Sequence, residues 1–265
     1  MDLEFIKLYE KLNSLNEDTN YTPRGDTGII VEDGVLLDVG MDVVDLIIPE
    51  GVTEIAAKAL KDRTKLQMVT IPDSVTTIGQ EAFRDCTGLT IIAIPDSVAS
   101  IGKYAFKYCS NLTSVALGNS IKSIGDEAFY RCSKLTSVTI PNGVTNIGGG
   151  AFNSCYKLTS VTIPDSVTSI GDGAFGGCSS LKSLALPDSI TSIGIDLLFD
   201  CANLTELIIP NSVTSIGQAA FMHCASLNSI TFTGTKAQWN AISKGAVWNL
   251  GMGTYVVHCT DGDQL

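Results

Sequence analysis

Seven cysteines, Cys86, Cys109, Cys132, Cys155, Cys178, Cys201 and Cys224, follow one another at intervals of 23 residues, and an eighth, Cys259, stands apart. Aligned thiols could hold a soft metal or sense oxidation. Alternatively, each is a small buried hydrophobe that fills the same gap in every repeat. The single period favours packing. Disulfide frameworks rarely have one spacing, and parallel side chains on neighbouring strands point the same way, which is poor geometry for a bridge. The two histidines, His223 and His258, each precede a cysteine near the C-terminal end. A zinc site or a hydrolase built on these His and Cys residues is the enzymatic alternative. Their spacing matches no zinc finger, and adjacent residues of a strand face opposite ways. Neither histidine lies in a nucleophile motif such as G-x-S-x-G. The glycines at 148–150 are followed by no Lys-Ser/Thr, so they form no phosphate loop. Carboxylate pairs such as Asp126 and Glu127 fall at variable outward positions, where a solvated role is expected. The expectation is a protein that is not an enzyme and carries neither cofactor nor metal.

The thiols are one column of a longer pattern. Leu112, Leu135, Leu158 and Leu181 recur at the same period, as do Val115, Val138, Val161 and Leu184. Isoleucine fills every position from Ile55 through Ile78 and Ile101 to Ile216. Phe83, Phe106, Phe129, Phe152, Phe175 and Phe221 form a further column, with Leu60 and Leu198 in place of phenylalanine. Within one copy, LTSVTIPDSVTSIGDGAFGGC, Val161 and Ile163 alternate with Ser160 and Thr162, which reads as a short strand with one buried face. Pro164 ends it. Val167 and Ile170 return to the core in a second, shorter strand. Gly171 is expected at a tight turn with positive φ. Ala174, Phe175 and Cys178 then read as one turn of helix or 3₁₀.

One such unit cannot bury its apolar side alone, whereas stacked units can, with strands about 4.8 Å apart. The spacing therefore predicts a repeat solenoid, mostly β with short helical or 3₁₀ turns. Stacking also disfavours columns of like charge. The acidic column Glu50, Asp73, Asp96 is interrupted by Asn119 and Asn142, and resumes at Asp165 and Asp188.

The chain has 265 residues and a net charge of -11, which disfavours sequence-independent nucleic-acid binding. No run of about 18 apolar residues is present, so no membrane insertion is expected. The acidic N-terminus lacks the basic and apolar regions of a secretion signal. As given, the chain reads as cytoplasmic, with a cell-surface or secreted placement as the alternative. The organisation reads as an N-terminal helix and linker (1–28), a hairpin cap around Asp33 and Gly34 (29–45), the repeat array (46–227) and a C-terminal cap (228–265). In the first part, Phe5, Leu8, Leu12 and Leu15 give residues 2–15 an apolar side. In the last, a helix N-capped at Thr235 turns Trp239 and Ile242 inward, and residues 254–259 form a closing strand.

The repeat L-x-x-V-x-I-P-x-x-V-x-x-I-G-x-x-A-F-x-x-C, over about residues 29–259, resembles the BspA-like, or treponemal, subclass of leucine-rich repeats. That resemblance implies a curved right-handed superhelix with a parallel sheet on its concave face and capped ends. It also implies protein binding, because relatives are often microbial surface proteins, some of them adhesins. One repeat departs from the pattern. Leu197, Leu198 and Phe199 replace A-F-x in GIDLLFDC, and the outer turn is expected to shift there.

Recognition is expected where the repeats disagree, since the scaffold does not dictate those letters. Lys103, Tyr104, Lys107, Tyr108, Tyr130, Arg131 and Tyr156 cluster on neighbouring units, where the fifth repeat has Asp172, Gly173, Gly176 and Gly177. Aromatic residues and arginine are enriched at interfaces. These seven are the candidate protein-binding site, with a partner of unknown identity. Ordinary surface decoration is the alternative reading. The concave residues Thr113, Ser114, Thr136, Ser137, Thr139, Thr159, Ser160 and Thr162 are small and uniform and encode no particular partner, though they could dock a strand or a glycan. A purely structural or adhesive spacer is the remaining functional alternative.

Overall fold

The computed structural model describes Gly25 and residues 27–264. The helix expected over 2–15 lies outside the described residues. Each 23-residue coil contributes a longer and a shorter strand to two sheets. Strand Ser137–Thr139 pairs in parallel with Ser160–Thr162, setting Val138 against Val161. Strand Asn146–Ile147 pairs with Ser169–Ile170, setting Ile147 against Ile170. Within the repeat array each partner is thus the equivalent position of the next repeat, 23 residues on, and the chain is a β-solenoid of the expected kind.

The two sheets differ in continuity. Six two-residue strands and the two strands of the N-terminal hairpin form an eight-stranded sheet that reaches Ser169–Ile170, with a three-stranded sheet beyond it. On the concave face the longer strands pair in sections. Asp45–Ile47 joins Met68–Thr70, Ile91–Ala93 joins Ser114–Ala116, and Ser137–Thr139 joins Ser160–Thr162. A five-stranded section then runs from Ser183–Ala185 to Gly262–Gln264.

Between the sheets the columns become ladders. The rings of Phe83, Phe106, Phe129, Phe152 and Phe175 stack nearly parallel, with successive centroids 4.9, 5.1, 5.3 and 5.7 Å apart. All five rings are fully buried. Leu197 and Leu198 are buried in the Ala and Phe columns, and Leu198 N donates to Ala220 O as Phe175 N does to Leu197 O. The outer turn of that repeat is therefore not shifted: leucine fits both columns, and Phe199 stands at the variable outer position that Lys107 and Tyr130 hold in other coils.

Two local expectations need correction. The outer segment is a run of turns, not a regular helix. Lys107 N donates to Tyr104 O within its own coil, while Tyr104, Phe106 and Tyr108 donate to Asp126, Ala128 and Tyr130 of the next. Alternate amides thus close the turn and tie coils together. Gly171, moreover, is not at positive φ. It is glycine because a Cβ there would lie 2.4 Å from Gly149 N of the preceding coil. The left-handed positions lie further on and recur twice per coil, for example at Tyr104 and Tyr108, then at Gly173 and Gly177.

Hydroxyls complete the inter-coil bonding. Thr113 Oγ1 donates to Thr90 O at 2.9 Å, Thr159 Oγ1 to Thr136 O at 3.0 Å, and Ser166 Oγ to Val144 O at 2.7 Å. In the interrupted acidic column Asn119 donates to Asp96 twice over, its backbone N lying 2.7 Å and its Nδ2 3.3 Å from Asp96 Oδ1.

At the N-terminal end, Ile30–Glu32 and Val35–Asp38 form an antiparallel hairpin with Asp33 and Gly34 left-handed at its turn. At the other end the helix spans Lys236–Ala241, with Thr235 and Gln238 in a reciprocal capping box and Trp239 buried. It is shorter than the sequence suggests, because Ser243–Lys244 leaves it to pair with Ser215–Ile216. Strand Val256–Cys259 closes the sheet and turns back through Gly262–Gln264.

Candidate functional site

The cysteines resolve first. Each of the seven periodic thiols is buried and donates to the carbonyl 26 residues earlier, as Cys109 does to Phe83 O at 3.1 Å and Cys178 to Phe152 O at 3.3 Å. Burial pushes the Cys86 and Cys224 thiols up to about 12, and those of Cys109, Cys155, Cys178 and Cys201 well above their usual range. A protonated, enclosed thiol is a poor nucleophile and a poor metal ligand. His223 Nδ1 lies 2.9 Å from Asp200 Oδ1, and His258 Nδ1 lies 2.8 Å from Asp263 Oδ1. Among the described residues, no hydroxyl or thiol is bonded to either ring, and no three His, Cys, Asp or Glu side chains gather as a metal ion would need.

The outer ridge brings most of the candidate residues together. Lys107 Nζ sits 4.9 Å from the Tyr104 ring centre, 5.2 Å from that of Tyr108 and 4.7 Å from that of Tyr130. It also pairs with Glu127. Tyr108 and Tyr130 meet edge to face at 5.7 Å. From the previous coil, Arg84 approaches the Tyr108 ring at 6.0 Å while bonded to Glu81 at 3.0 Å and Asp85 at 3.1 Å. Arg131 lies 5.6 Å from the Tyr130 ring. The phenol oxygens of Tyr130 and Tyr156 raise its already high pKa, so it is a permanent cation. Lys103 stands aside, bonded to Asp126 at 2.7 Å, and that bond holds the Asp126 carboxyl below its usual range.

The seven residues therefore divide. Lys107, Tyr104, Tyr108 and Tyr130 are half-buried and satisfy one another, whereas Lys103, Arg131 and Tyr156 are exposed. Three of the ridge residues, Tyr104, Tyr108 and Arg131, are held at φ of 59°, 65° and 57°. Such a conformation costs an L-residue about 1–2 kcal/mol, and glycine avoids the penalty.

On the concave face, all eight small residues singled out above are exposed. Sequence reasoning treated them as uniform. The structure instead shows a groove of about 430 Å³ between the coils carrying Ser114–Ala116 and Ser137–Thr139. The available signal was a single letter, Gly118, in a column that is otherwise proline from Pro49 to Pro210.

Parallel coils of fixed length and ladders of buried leucine and phenylalanine together define a leucine-rich-repeat solenoid. Within that class the chain belongs to the BspA-type leucine-rich-repeat family, whose model matches six copies over residues 40–159 and 145–258. A leucine-rich repeat protein from Bacteroides ovatus is similar in structure, with 30% identity, a TM-score of 0.67, and coverage of 89% of this chain and 71% of its own. The leucine-rich repeat protein of T. pallidum is also similar, at 26% identity and a TM-score of 0.59, covering 86% of this chain and 99% of its own. No curated protein matches the sequence.

Proposed function

We propose that this chain is a non-catalytic scaffold that binds a protein partner through the outer ridge formed by Lys103, Tyr104, Lys107, Tyr108, Tyr130, Arg131 and Tyr156. One observation carries the reading. Tyrosines and an arginine gather, on two neighbouring coils, at left-handed positions that the other coils fill mostly with Lys, Asp, Glu, Ser, Ala or His, and with glycine at Gly150, Gly173 and Gly177. The strain is common to most coils; what sets these two apart is the concentration of aromatic and cationic side chains, residue types enriched at interfaces. The half-buried tyrosines and Lys107 form a rigid base, and Arg131 and Tyr156 are the anchors that a partner desolvates. A partner surface presenting carboxylates beside apolar groups complements them.

The test is quantitative capture of proteins from the native host by the full chain, compared with an Arg131→Ala/Tyr156→Ala variant. A specific partner that binds the parent chain at least about tenfold more tightly than the variant is expected. A specific partner bound equally well by both, with the same thermal stability, would overturn the assignment.

A further inference from the structure

We infer that the outer ridge is self-complementary and that its partner is a second copy of this chain, docked antiparallel about a twofold axis. The inference rests on the ridge reading above and names the occupant. The same outward positions recur in every coil, and their charge reverses halfway along the stack. In the coils of residues 80–85, 103–108 and 126–131, every carboxylate already has a cation. Arg84 holds Glu81 and Asp85, Lys103 holds Asp126, and Lys107 holds Glu127. Arg131 is the guanidinium left over: it is exposed and is engaged among the described residues by Tyr130 and by no carboxylate.

The later coils hold the opposite set. Residues 172–177, 195–200 and 218–223 contain no Lys or Arg. Asp172, Asp196 and Asp200 are exposed there, and no lysine or arginine pairs with them among the described residues. Burial and the neighbouring Asp172 charge push the Asp196 carboxyl up, as befits two carboxylates without a cation between them. Asp200 Oδ1 is engaged by His223 Nδ1 at 2.9 Å, and its second oxygen is open among the described residues. Beside these acids, Ile195, Val247 and Leu250 are 45, 46 and 52% exposed, three of the five most exposed large apolar side chains described. Carboxylates beside apolar groups are the surface that Arg131 and Tyr156 fit.

Glycine separates the two halves. Gly149, Gly150, Gly173, Gly176 and Gly177 leave much of the ridge without side chains over two neighbouring coils, a saddle where two backbones can approach closely. A twofold axis lying across that saddle, at right angles to the stack, reverses the order of coils and keeps each column opposite itself. One column reads Arg131, Ser154, Gly177 and Asp200, so an axis midway between Ser154 and Gly177 sets Arg131 of each copy against Asp200 of the other. In the adjacent column the same axis sets Tyr130 against Phe199. Glu127 falls opposite Asp196, but Lys107 already neutralises Glu127. Both copies have the same coil spacing, so the register holds along the ridge. A ridge a few residues wide buries less than the about 1,200 Å² of a standard interface, so the association is weak and salt-dependent.

Sedimentation of the full chain over about 10–500 μM, in low salt and in about 0.5 M salt, would be compared with Arg131→Glu, Asp200→Arg and an equimolar mixture of the two. The parent chain is expected to dimerise reversibly in low salt and less in high salt. Each reversal alone places like charges at both contacts and should weaken self-association about tenfold or more. The mixture should form a heterodimer about as tight as the parent, because both contacts then join opposite charges. If a reversal does not fold, Arg131→Gln or Asp200→Asn, which only remove the charge, takes its place and should weaken the parent dimer. A parent chain that stays monomeric throughout, a mixture no tighter than either reversal alone, or charge-removed variants that dimerise like the parent would overturn the inference. The ridge assignment is judged separately by the capture comparison: a host protein lost with Arg131→Ala/Tyr156→Ala keeps it standing when the dimer fails.

Discussion

The Sγ atom of Cys155 donates to the carbonyl oxygen of Phe129, 3.3 Å away on the preceding coil. The same bond recurs at all seven periodic cysteines, from Cys86 to Leu60 O through Cys224 to Leu198 O. Each thiol both fills a gap and satisfies a buried carbonyl, a double role that alanine or valine at that position could not play. The bond requires the protonated thiol, so its chemistry makes the fold sensitive to alkali.

Burial raises the folded pKa of these thiols from the ordinary 9.0, to about 12 at Cys86 and Cys224. A raised folded value means that the unfolded chain loses its protons first. The associated stability is whole below about pH 9 and is lost as pH rises toward 12. Each thiol contributes a slope of up to about 1.4 kcal/mol per pH unit in that window. Urea unfolding under reducing conditions should show a midpoint that is level between pH 7 and 8 and falls steeply above 9. A Cys155→Val variant should fall less steeply, and an equal slope would contradict the assignment.

Two neighbouring glycines should respond oppositely to alanine. At Gly171 the added Cβ meets Gly149 N at 2.4 Å, whereas at Gly149 the nearest atom is 3.4 Å away. Gly171→Ala should cost about 1–3 kcal/mol through overpacking, and Gly149→Ala should lie within about 0.5 kcal/mol of the parent. Chemical denaturation of both variants checks this.

Phe152 is enclosed between Phe129 and Phe175, with ring centres 5.3 and 5.7 Å away. Phe152→Ala should destabilise the chain by about 3–5 kcal/mol, since neighbouring coils fixed by their own ladders cannot collapse into the cavity. Thermal and urea unfolding would measure the loss.

The ridge should separate stability from recognition. Lys107 is held by three rings and Glu127, so Lys107→Ala should lower stability by about 1–2 kcal/mol. Arg131→Ala and Tyr156→Ala remove exposed side chains and should change it by less than about 0.5 kcal/mol. Calorimetry of the three variants makes the comparison.

The columns were legible because a solenoid turns spacing directly into contact: Val138 meets Val161 since they are 23 residues apart. The ladder of stacked rings and the hairpin at Asp33 and Gly34 follow from the same logic. Less legible were features that depend on closeness and not on type. Nothing in the letter Gly171 separates a left-handed turn from a crowded approach. Lys107 read as a candidate binding residue, and only the positions of three rings show that it is already engaged within the ridge. Thr113, Thr136 and Thr159 read as inert surface, yet each hydroxyl bonds a carbonyl of the coil before. Gly118 was visible as an exception in its column, but the groove beside it depends on how far one coil moves.

All of these predictions require that successive 23-residue units lie one above another in register. The most direct test places spin labels at Ser137 and Ser160, which are paired on adjacent strands, in a chain whose half-buried Cys259 is replaced by serine. Strands in register stand about 4.8 Å apart, so the doubly labelled protein should show strong dipolar broadening that disappears in urea. A folded, doubly labelled chain whose spectrum equals the sum of the two singly labelled ones would contradict the stack.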